Sequence, residues 1–414
     1  MANEPHVVIL GAGFAGLGAM KKLKKAPVKV TLIDKNDYHT FLPLLYQVAT
    51  AELARTEVGF PLRAMLHDRS DWEFHQATVT GIDLASTTVT AEDMEPISYD
   101  YLVVALGAVV NLFNTEGAAE HAFPLYTLHD AERLKAHILE RFEAVDRNPA
   151  LVDDGGLTFC VVGGGATGVE TAGALSELIH VELKKDYPNL PIEKAEVHIF
   201  EHSPHLLGPF KPRLQEYAKN ALGERDVQVH LSEGVVGIEP TRVHVQSGAV
   251  VKAHTLVWGA GLQGHPLAGA LGEELQHGRV AVSLDLSLKD HPEVFVIGDM
   301  AMITDAKTNN QLPQLGSVAQ QAGYHAGENI ERLVKGKQTA PFEYKDKGTM
   351  ATIGRGAAVV QLHSGRTMTG HAAWLAWLGV HLMLLSGGEE RSATIVDWGW
   401  ELLTHERGKR IVIE

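Results

Sequence analysis

Three glycines near the start of the chain have the spacing that a nucleotide diphosphate requires. Gly11 permits a sharp turn, Gly13 lets a diphosphate approach the backbone, and Gly16 lets a helix pack closely on a strand. Asp34 follows the turn by about 20 residues, where a carboxylate accepts hydrogen bonds from ribose hydroxyls. Residues 6–34 are therefore predicted to form a strand, a glycine turn, a helix and a second strand, with the diphosphate at the helix N-terminus.

A second unit of the same kind begins at Leu157. Gly163, Gly165 and Gly168 repeat the spacing, and the predicted second strand ends at Glu201. A carboxylate at this place accepts from a ribose 2′-hydroxyl and repels a 2′-phosphate, and no arginine stands beside it. The chain is therefore predicted to bind two dinucleotides, the second of them NADH rather than NADPH.

Three later apolar segments are predicted to connect the two units. Segments 100–108 and 254–261 are predicted buried strands that end in small residues, as expected where a chain crosses between nucleotide domains. Segment 293–303 is a further apolar strand ending in Gly298 and Asp299, whose carboxylate can reach flavin hydroxyls. Two units in one chain predict one tightly held flavin and one exchangeable nicotinamide.

Composition excludes several kinds of chemistry. The formal charge of −15 disfavours contact with a phosphate backbone, so no nucleic acid partner is expected. Cys160 is the single cysteine, which excludes an intramolecular disulfide and the cysteine pair of disulfide reductases or sulfide:quinone oxidation. His198, His202 and His205 are predicted surface histidines, because residues four apart in a strand lie about 13 Å apart and cannot share an ion. No metal is therefore predicted, and the start of the chain lacks signal-peptide features, which predicts a cytoplasmic protein.

The pattern changes after Pro341. Segments TMATIG, AAVVQL and RTMTG predict a small antiparallel meander, followed by helices at 371–386 and 391–404. One predicted stripe consists of Trp374, Trp377, Leu378, His381, Leu382 and Leu385, and a second of Ile395, Trp398 and Leu402. The apolar run is shorter than the roughly 20 residues that cross a bilayer, but it is suited to lie in the membrane interface.

Spacing alone leaves membrane contact and protein contact equally open for this tail. Stripes of tryptophan and leucine also form cores or dimer interfaces. Glu389 and Glu390 would be repelled by anionic lipid, whereas Arg407, Lys409 and Arg410 would be attracted.

The sequence resembles a known superfamily at several motifs. GAGFAG, VVGGGATGVE and VIGD are similar to the flavoproteins with two dinucleotide-binding domains, whose first unit holds FAD and whose second holds NAD(P)H. Within that group, YHTFLPLLYQVAT (38–50), GSVAQQAG (316–323), KGTMATIGR (347–355) and the tryptophan-rich tail resemble type II NADH dehydrogenases. These are single-subunit NADH:quinone oxidoreductases that pump no protons and bind the membrane from one side.

The resemblance implies cofactor contacts, residue by residue. FAD contacts are expected at Ala12 to Gly16, Asp34, Lys35, Asp299 and 319–324. The complete set of expected cofactor contacts, for FAD and NADH together, is Gly11, Ala12, Gly13, Phe14, Ala15, Gly16, Asp34, Lys35, Val79, Ala105, Gly107, Gly163, Gly165, Ala166, Thr167, Gly168, Glu201, Gly261, Asp299, Ala319, Gln320, Gln321, Ala322, Gly323 and Tyr324.

The family's quinone motif, AQxAxQxG, aligns with 316–323. Ala319, Gln321 and Gly323 match it, whereas Gly316 and Ser317 stand where the family has alanine and glutamine. The resemblance therefore implies that Gln321 contacts the quinone headgroup.

Glu170 matches a family glutamate that lies near the flavin and the nicotinamide. Quinone reduction consumes two electrons and two protons, and an apolar cleft would raise the pKa of Glu170 toward neutrality, which suits a proton carrier. The alternative is that Glu170 lies on the first turn of its helix and complements the helix dipole.

Together these features predict an α/β protein with two Rossmann-type domains and a small C-terminal region of strands and amphipathic helices. The predicted division is 1–112 and 284–340 for FAD, 113–283 for NADH and 341–414 for membrane attachment. The predicted function is transfer of a hydride from NADH to FAD and of two electrons to a quinone. The protein is predicted to be monotopic, at the cytoplasmic face of the cell membrane, and is a candidate homodimer. The alternatives are a soluble reductase of a ferredoxin-like partner and a non-catalytic NADH sensor.

Overall fold

The structure, a computed structural model, describes residues 4–66, 69, 71–273, 275–404 and 407–411. Its strands are β1 His6–Leu10, β2 Lys29–Asp34, β3 Tyr38–Thr40, β4 Gly59–Pro61, β5 Trp72–Gln76, β6 Val79–Asp83, β7 Thr88–Ala91, β8 Ile97–Ser98, β9 Tyr101–Val104, β10 Ala108–Val110, β11 Phe123–Pro124, β12 Thr158–Val162, β13 Glu196–Glu201, β14 Val227–Leu231, β15 Val235–Glu239, β16 Arg242–Val245, β17 Val250–Lys252, β18 Thr255–Trp258, β19 Leu262–Gly264, β20 Leu275–Gln276, β21 Arg279–Ala281, β22 Val294–Val296, β23 Ala301–Met302, β24 Thr349–Gly354, β25 Ala357–Gln361 and β26 Thr367–Thr369.

The α-helices are α1 Phe14–Leu23, α2 Leu45–Ala49, α3 Arg55–Val58, α4 Leu62–Leu66, α5 Ala118–His121, α6 Leu128–Arg147, α7 Ala166–Glu177, α8 Lys184–Asp186, α9 Pro212–Gly223, α10 Gly316–Val334, α11 Gly370–Leu384 and α12 Gly388–Thr404. Short 3₁₀ turns lie at Leu42–Leu44, Pro149–Asp154, Ile192–Lys194, Pro266–Leu271 and Gly298–Met300, and a π-helical turn at Leu178–Leu183 continues α7.

The chain forms two compact units, each built from three chain segments. The first unit takes its described residues from 4–39, 61–109 and 262–345, and the second from 40–60, 110–261 and 346–411. The strands and helices of the C-terminal region thus belong to the second unit. The domain limits at 112, 283 and 340 stay a prediction.

A parallel sheet forms the centre of the first unit. Its order is β22-β9-β1-β2-β5, and every adjacent pair is parallel. Strand β1 is apolar and almost completely buried, as expected of a strand covered on both faces. Helix α1 lies against α10 through small residues, because a side chain at Gly18 would come within 2.5 Å of the Gln320 carbonyl oxygen.

The second unit repeats this arrangement around its own parallel sheet, in the order β11-β18-β12-β13-β14. All five residues of β12 are buried, Cys160 among them. The prediction of two Rossmann-type sheets is confirmed. The predicted meander is also present, because β24, β25 and β26 pair antiparallel.

Three predicted strands are shorter than the sequence indicated. The one in segment 254–261 is β18, which covers only Thr255–Trp258, and the other two are interrupted by turns. In segment 100–108, β9 ends at Val104, and Gly107 has a left-handed backbone, φ 74°. In segment 293–303, β22 ends at Val296 and a 3₁₀ turn follows at Gly298–Met300. Both interruptions bring a backbone turn to the carboxyl end of a parallel strand, where nucleotide sites are found in such sheets.

The predicted stripe on α11 faces the protein rather than solvent. Trp377, His381 and Leu385 are buried, and Trp374, Leu378 and Leu382 are partly buried. On α12 the predicted stripe is divided, because Trp398 is buried while Ile395 and Leu402 are exposed.

A different apolar surface is left exposed on the C-terminal helices. Helix α11 contains no Asp, Glu, Lys or Arg, so apolar residues lie on every side of it. The exposed members of this surface, here called the apolar outer face, are Leu375, Met383 and Leu384 on α11 and Ile395, Val396, Trp400, Leu402 and Leu403 on α12. Among the described residues, every helix is too short or too polar to cross a membrane.

Candidate functional site

The first glycine turn lies at the end of β1. Gly11 has φ 96°, its N–H donates to the Ile33 carbonyl (2.8 Å), and a side chain there would collide with the Ala105 carbonyl oxygen. Only glycine combines this positive φ with such a close approach to Ala105.

Asp34 holds this turn in place. It is the last residue of β2, and its carboxylate accepts from the Ala12 N–H (2.6 Å) and the Asn36 N–H (2.8 Å). Burial raises the pKa of Asp34, although both backbone hydrogen bonds lower it. A carboxylate has about four acceptor positions, so two remain for ribose hydroxyls.

The second turn repeats the first in detail. Gly163 has φ 106° and donates its N–H to the Phe200 carbonyl (2.9 Å). Glu201, the last residue of β13, accepts from the Gly164 N–H (2.5 Å) and the Ser203 N–H (2.7 Å). The sequence predicted both acids as ribose ligands but did not reveal that each also binds the backbone of its own glycine turn.

Both turns leave room for a diphosphate. Gly13 and Gly165 precede α1 and α7, and a side chain at either would meet no protein atom within 4 Å. Neither helix start is capped by a side chain, so its N–H groups and dipole favour an anion. At α7 the predicted contacts Gly165, Ala166 and Thr167 are exposed. The residues present therefore fit two dinucleotide diphosphates.

Asp299 is the middle residue of the 3₁₀ turn Gly298–Met300 that follows β22. Burial raises the pKa of Asp299 to about 6, and Arg279 lowers it only in part. A buried carboxyl group at this carboxyl end of the first unit's sheet suits hydrogen bonds to hydroxyl groups.

The predicted segment 319–324 lies on α10. Ala319, Ala322 and Gly323 are buried, and a side chain at Gly323 would collide with the Ala15 carbonyl oxygen of α1. Gln320 and Tyr324 are exposed. Within this segment, the small residues of the helix therefore pack against the protein, and the large residues Gln320 and Tyr324 are exposed to solvent.

Gln321 is engaged by the protein itself. Its Nε2 donates to the Lys345 carbonyl (3.1 Å), and its Oε1 accepts from the Lys345 N–H (3.0 Å). Ser317 is also engaged, because its hydroxyl forms a 2.8 Å hydrogen bond with the Tyr344 hydroxyl. The contact of Gln321 with a quinone stays a prediction.

The other predicted contacts are distributed over both units. Ala105 and Val79 are buried in the first unit, and Lys35 is exposed there. Gly107 and Gly261 have left-handed backbones, with φ 74° and 73°.

Glu170 is buried and lies beyond the first turn of α7. It is the fifth residue of that helix, whose first turn contains no acidic residue, so the dipole interpretation of Glu170 is wrong. Its Oε1 accepts from the Thr352 N–H of β24 at 3.2 Å. This close approach depends on Gly173, because a side chain there would collide with the Ile353 carbonyl oxygen.

Burial dominates the titration of Glu170. It raises the pKa of this carboxyl to about 8, whereas the Thr352 N–H and the nearby Trp377 indole lower it. Trp377 Nε1 lies close enough to favour the carboxylate but meets no acceptor in hydrogen-bond geometry. Burial therefore favours the protonated, neutral form of Glu170.

A cavity of the second unit, here called the Glu170 cavity, adjoins this carboxyl group. It contains about 490 Å³ of empty space, including its open mouth. Its lining combines aromatic and aliphatic residues of α11 and α12 with polar groups. Its lining is Tyr46, Gln47, Glu52, Glu170, Ala174, Glu177, Thr352, Gly354, Arg355, Trp374, Trp377, Leu378, Trp398, Glu401 and Leu402. Sequence reasoning found Glu170. It also singled out segments 38–50 and 347–355, which supply Tyr46, Gln47, Thr352, Gly354 and Arg355, but without a role for these residues, and it missed Glu52, Glu177 and Glu401.

The histidine prediction is wrong for His198. Its side chain is buried, its Nδ1 lies 3.0 Å from His230 Nε2, and its Nε2 lies 3.2 Å from Glu196. His202 and His205 are exposed, as predicted. No group of three metal-binding side chains occurs in the described part of the chain.

The basic residues after α12 each pair with an acidic side chain. Arg407 is 3% exposed and pairs with Glu401 (3.0 Å). Lys409 pairs with Asp397 (3.0 Å), and Arg410 with Asp186 (2.7 Å). Arg407 is therefore buried away from lipid, whereas the attraction of Lys409 and Arg410, which are partly exposed, to anionic lipid stays a prediction.

Two Rossmann-type sheets, each with a glycine turn fastened by a strand-end acid, define a pyridine-nucleotide oxidoreductase. The family model described as pyridine nucleotide-disulphide oxidoreductase matches residues 5–323. One type II NADH:quinone oxidoreductase of Mycobacterium tuberculosis is 35% identical over 100% of this chain and 90% of its own length. That of Staphylococcus aureus is 32% identical over 85% of this chain and 88% of its own. The chain belongs to the type II NADH:quinone oxidoreductase family.

A solved structure supports the fold over the whole chain. NDH2 from Plasmodium falciparum in complex with NADH superposes with a TM-score of 0.91, at 20% identity, covering 100% of both chains. The disulphide of the broader family's name has no counterpart here. Cys160 is the single cysteine, and burial raises the pKa of its thiol.

Replacing Glu201 with alanine should weaken the preference for NADH over NADPH. The variant loses the acceptor for the ribose 2′-hydroxyl and the charge that repels a 2′-phosphate, so the KM for NADH should rise about tenfold. Steady-state kinetics with both nucleotides measure this. Glu196→Ala, at the opposite end of β13, is the control and should change neither KM. An unchanged ratio of the two KM values in Glu201→Ala would remove Glu201 from the specificity role.

Replacing Glu170 with glutamine should make stability less dependent on pH. Because the folded-state pKa of about 8 lies above the unfolded value, Glu170 stabilises the fold fully only below about pH 4. That contribution is lost as pH rises toward 8. Glutamine keeps the oxygen that accepts from Thr352 and never ionises, so it should be more stable by about 1–3 kcal/mol at pH 8 and equal at pH 4. Urea unfolding across this range tests it, and a pH-independent difference would contradict the raised pKa.

Proposed function

We infer that this chain is an FAD-containing NADH:quinone oxidoreductase. The observation that carries this is the duplicated turn: each of two parallel sheets presents a glycine turn, a strand-end acid and an uncapped helix start. Relatives that carry the name type II NADH:quinone oxidoreductase match nearly the entire chain. The single buried cysteine agrees with chemistry that needs no dithiol.

We assign the first turn, Asp34 and Asp299 to FAD, and the second turn with Glu201 to NADH. FAD, when bound, takes the hydride of NADH and returns two electrons to a quinone. The chain itself contributes orientation: the backbone N–H groups at α1 and α7 hold the diphosphates, and the two strand-end acids hold the riboses.

Glu170 contributes a proton in this proposal. The balanced reaction converts NADH, one proton and a quinone into NAD⁺ and a quinol, so one proton enters from water for each turnover. A carboxyl group that keeps its proton at pH 7 can donate it as negative charge develops on the quinone.

We assign Gln321 to the quinone headgroup, as the family motif implies. Its carboxamide uses one donor and one acceptor position for Lys345. One N–H and one oxygen lone pair remain, which suffice for a quinone carbonyl or a quinol hydroxyl.

The isolated protein with its bound cofactor should show a flavin spectrum. NADH should bleach the spectrum, and a menaquinone or ubiquinone analogue should restore it with continued NADH oxidation. Visible spectroscopy and steady-state NADH oxidation with and without quinone measure this. A colourless preparation, or one that NADH bleaches and no quinone re-oxidises, would overturn the function.

We further propose that the apolar outer face binds the cytoplasmic face of the cell membrane, where the quinone is dissolved. Leu403 is 84% exposed and Trp400 56%, and exposing several large apolar side chains on two neighbouring helices to water is unfavourable. Tryptophan and leucine on paired helices suit the boundary between headgroups and acyl chains.

Replacing Trp400 and Leu403 with serine together should reduce binding to phosphatidylcholine vesicles at least about tenfold, since each buried apolar side chain contributes about 1.5–3 kcal/mol. Vesicle sedimentation measures this, with soluble-quinone activity retained. The matched control changes Val236 and Val250, which are exposed on strands β15 and β17, to serine. Unchanged vesicle binding together with loss of a homodimer would show that the face is a subunit interface instead.

A further inference from the structure

An exposed phenylalanine lies at the carboxyl end of the second unit's parallel sheet. Phe113 is 60% exposed, although phenylalanine is among the residues most often buried. Its ring packs on Gly261, three residues beyond the end of β18, because a side chain at Gly261 would come within 2.3 Å of the ring. The rest of the ring surface is open to solvent, at the same edge of the sheet as the second glycine turn.

The backbone that carries this ring is held in an unfavourable conformation. Phe113 and Asn114 have φ 50° and 55°, in the left-handed region that two consecutive non-glycine residues rarely adopt. Such residues persist only where the surrounding structure fixes them, and they concentrate at active sites and ligand sites. The exposed position of Phe113 is therefore imposed by the fold.

Hydrogen bonds at the end of β18 fix this conformation. The Phe113 N–H donates to the side-chain oxygen of Asn111 (2.8 Å), and the Asn111 N–H donates to the Gly261 carbonyl (3.2 Å). The indole Nε1 of Trp258 donates to the carbonyls of Asn111 (3.1 Å) and Ala260 (2.7 Å). These bonds attach the loop that carries the phenylalanine to the carboxyl end of β18.

The strand order places this loop and Glu201 on opposite sides of the second glycine turn. The order is β18-β12-β13, with the turn after β12 and Glu201 at the end of β13. A dinucleotide lies across such an edge with its diphosphate at the central turn. Glu201 is the acid assigned to the 2′-hydroxyl that NADPH replaces with a phosphate, which is on the adenosine ribose. The nicotinamide riboside half therefore extends toward β18.

The glycine turn is in direct contact with the end of β18. A side chain at Gly163, the first glycine of the turn, would come within 3.0 Å of the Ala260 Cα and Cβ atoms. Ala260 precedes Gly261, on which the Phe113 ring packs. The ring thus flanks the side of the turn toward which the nicotinamide riboside extends.

We propose that Phe113 contacts the nicotinamide riboside half of NADH and positions it at the end of β18. An aromatic ring suits contact with another planar ring or with the apolar side of a ribose. Because hydrogen bonds already fix its loop, little ordering cost opposes the contact on binding. The inference rests on the proposed function, which assigns NADH to the second turn.

The test compares binding of NAD⁺ and ADP to Phe113→Ala, in the full-length protein with its bound flavin, by titration calorimetry. NAD⁺ contains the nicotinamide riboside, whereas ADP ends at the diphosphate. The dissociation constant of NAD⁺ should rise about fivefold, the size expected for loss of one aromatic contact. That of ADP should stay within about twofold of wild type, which also shows that the nucleotide-binding sheet is folded.

Two further variants serve as controls. Phe113→Tyr keeps the aromatic ring and should bind NAD⁺ within about twofold of wild type. Val250→Ala shortens another exposed apolar side chain of the second unit, on β17, and should change neither dissociation constant.

Three results would overturn the inference. An unchanged dissociation constant of NAD⁺ in Phe113→Ala would show that the ring does not contact the nucleotide. An equal rise for NAD⁺ and ADP would show that the ring acts only on the structure of the turn. Wild-type protein that binds neither nucleotide would overturn the proposed function, and the contact with it.

Discussion

The hydrogen bond from a glycine-turn N–H to a strand-end carboxylate is the constraint on which the nucleotide architecture depends. It fastens the turn to the neighbouring strand in both units, at Asp34 and at Glu201. The turn must be close to the strand for this bond, and the helix must begin directly above the turn. Gly16 and Gly168 permit that approach, because a side chain at either would collide with the carbonyl of its own turn. In each unit, one hydrogen bond from a backbone N–H to a side-chain carboxylate thus aligns the diphosphate site, the ribose acceptor and the helix dipole.

Features that lie within a short stretch of chain were predictable from the sequence. The βαβ units, the acids at their second strands and the antiparallel meander each follow from local patterns of glycine, apolar residues and charge. Glu170 was found because it stands close to a recognisable turn. Its burial could be anticipated from the apolar helix around it, but its exact position could not, since the contact with Thr352 joins residues far apart in sequence.

The C-terminal helices show where such prediction fails. Periodicity identifies a helix and its apolar positions, but a helix that is apolar on all sides does not reveal which side the protein covers. Trp377 and Trp398 are covered, whereas Trp400 and Leu403 are not. The sequence also did not reveal the ion pairs of Arg407. It suggests a free cation, whereas in the fold three glutamates surround this side chain. Both outcomes depend on partners contributed by other segments of the chain.

The division of the second unit into three segments has a consequence for biosynthesis. Glu52 lies near the start of the chain, Glu170 in its middle, and Glu401 and Arg407 near its end. A ribosome that has translated both nucleotide-binding sheets has therefore not yet released the residues that close the interior around Glu170. Glu52 and Glu170 therefore remain in contact with water until α12 has been translated. Nascent chains cut short before that point would lack the guanidinium of Arg407, which in the complete fold lies 3.9 Å from Glu52.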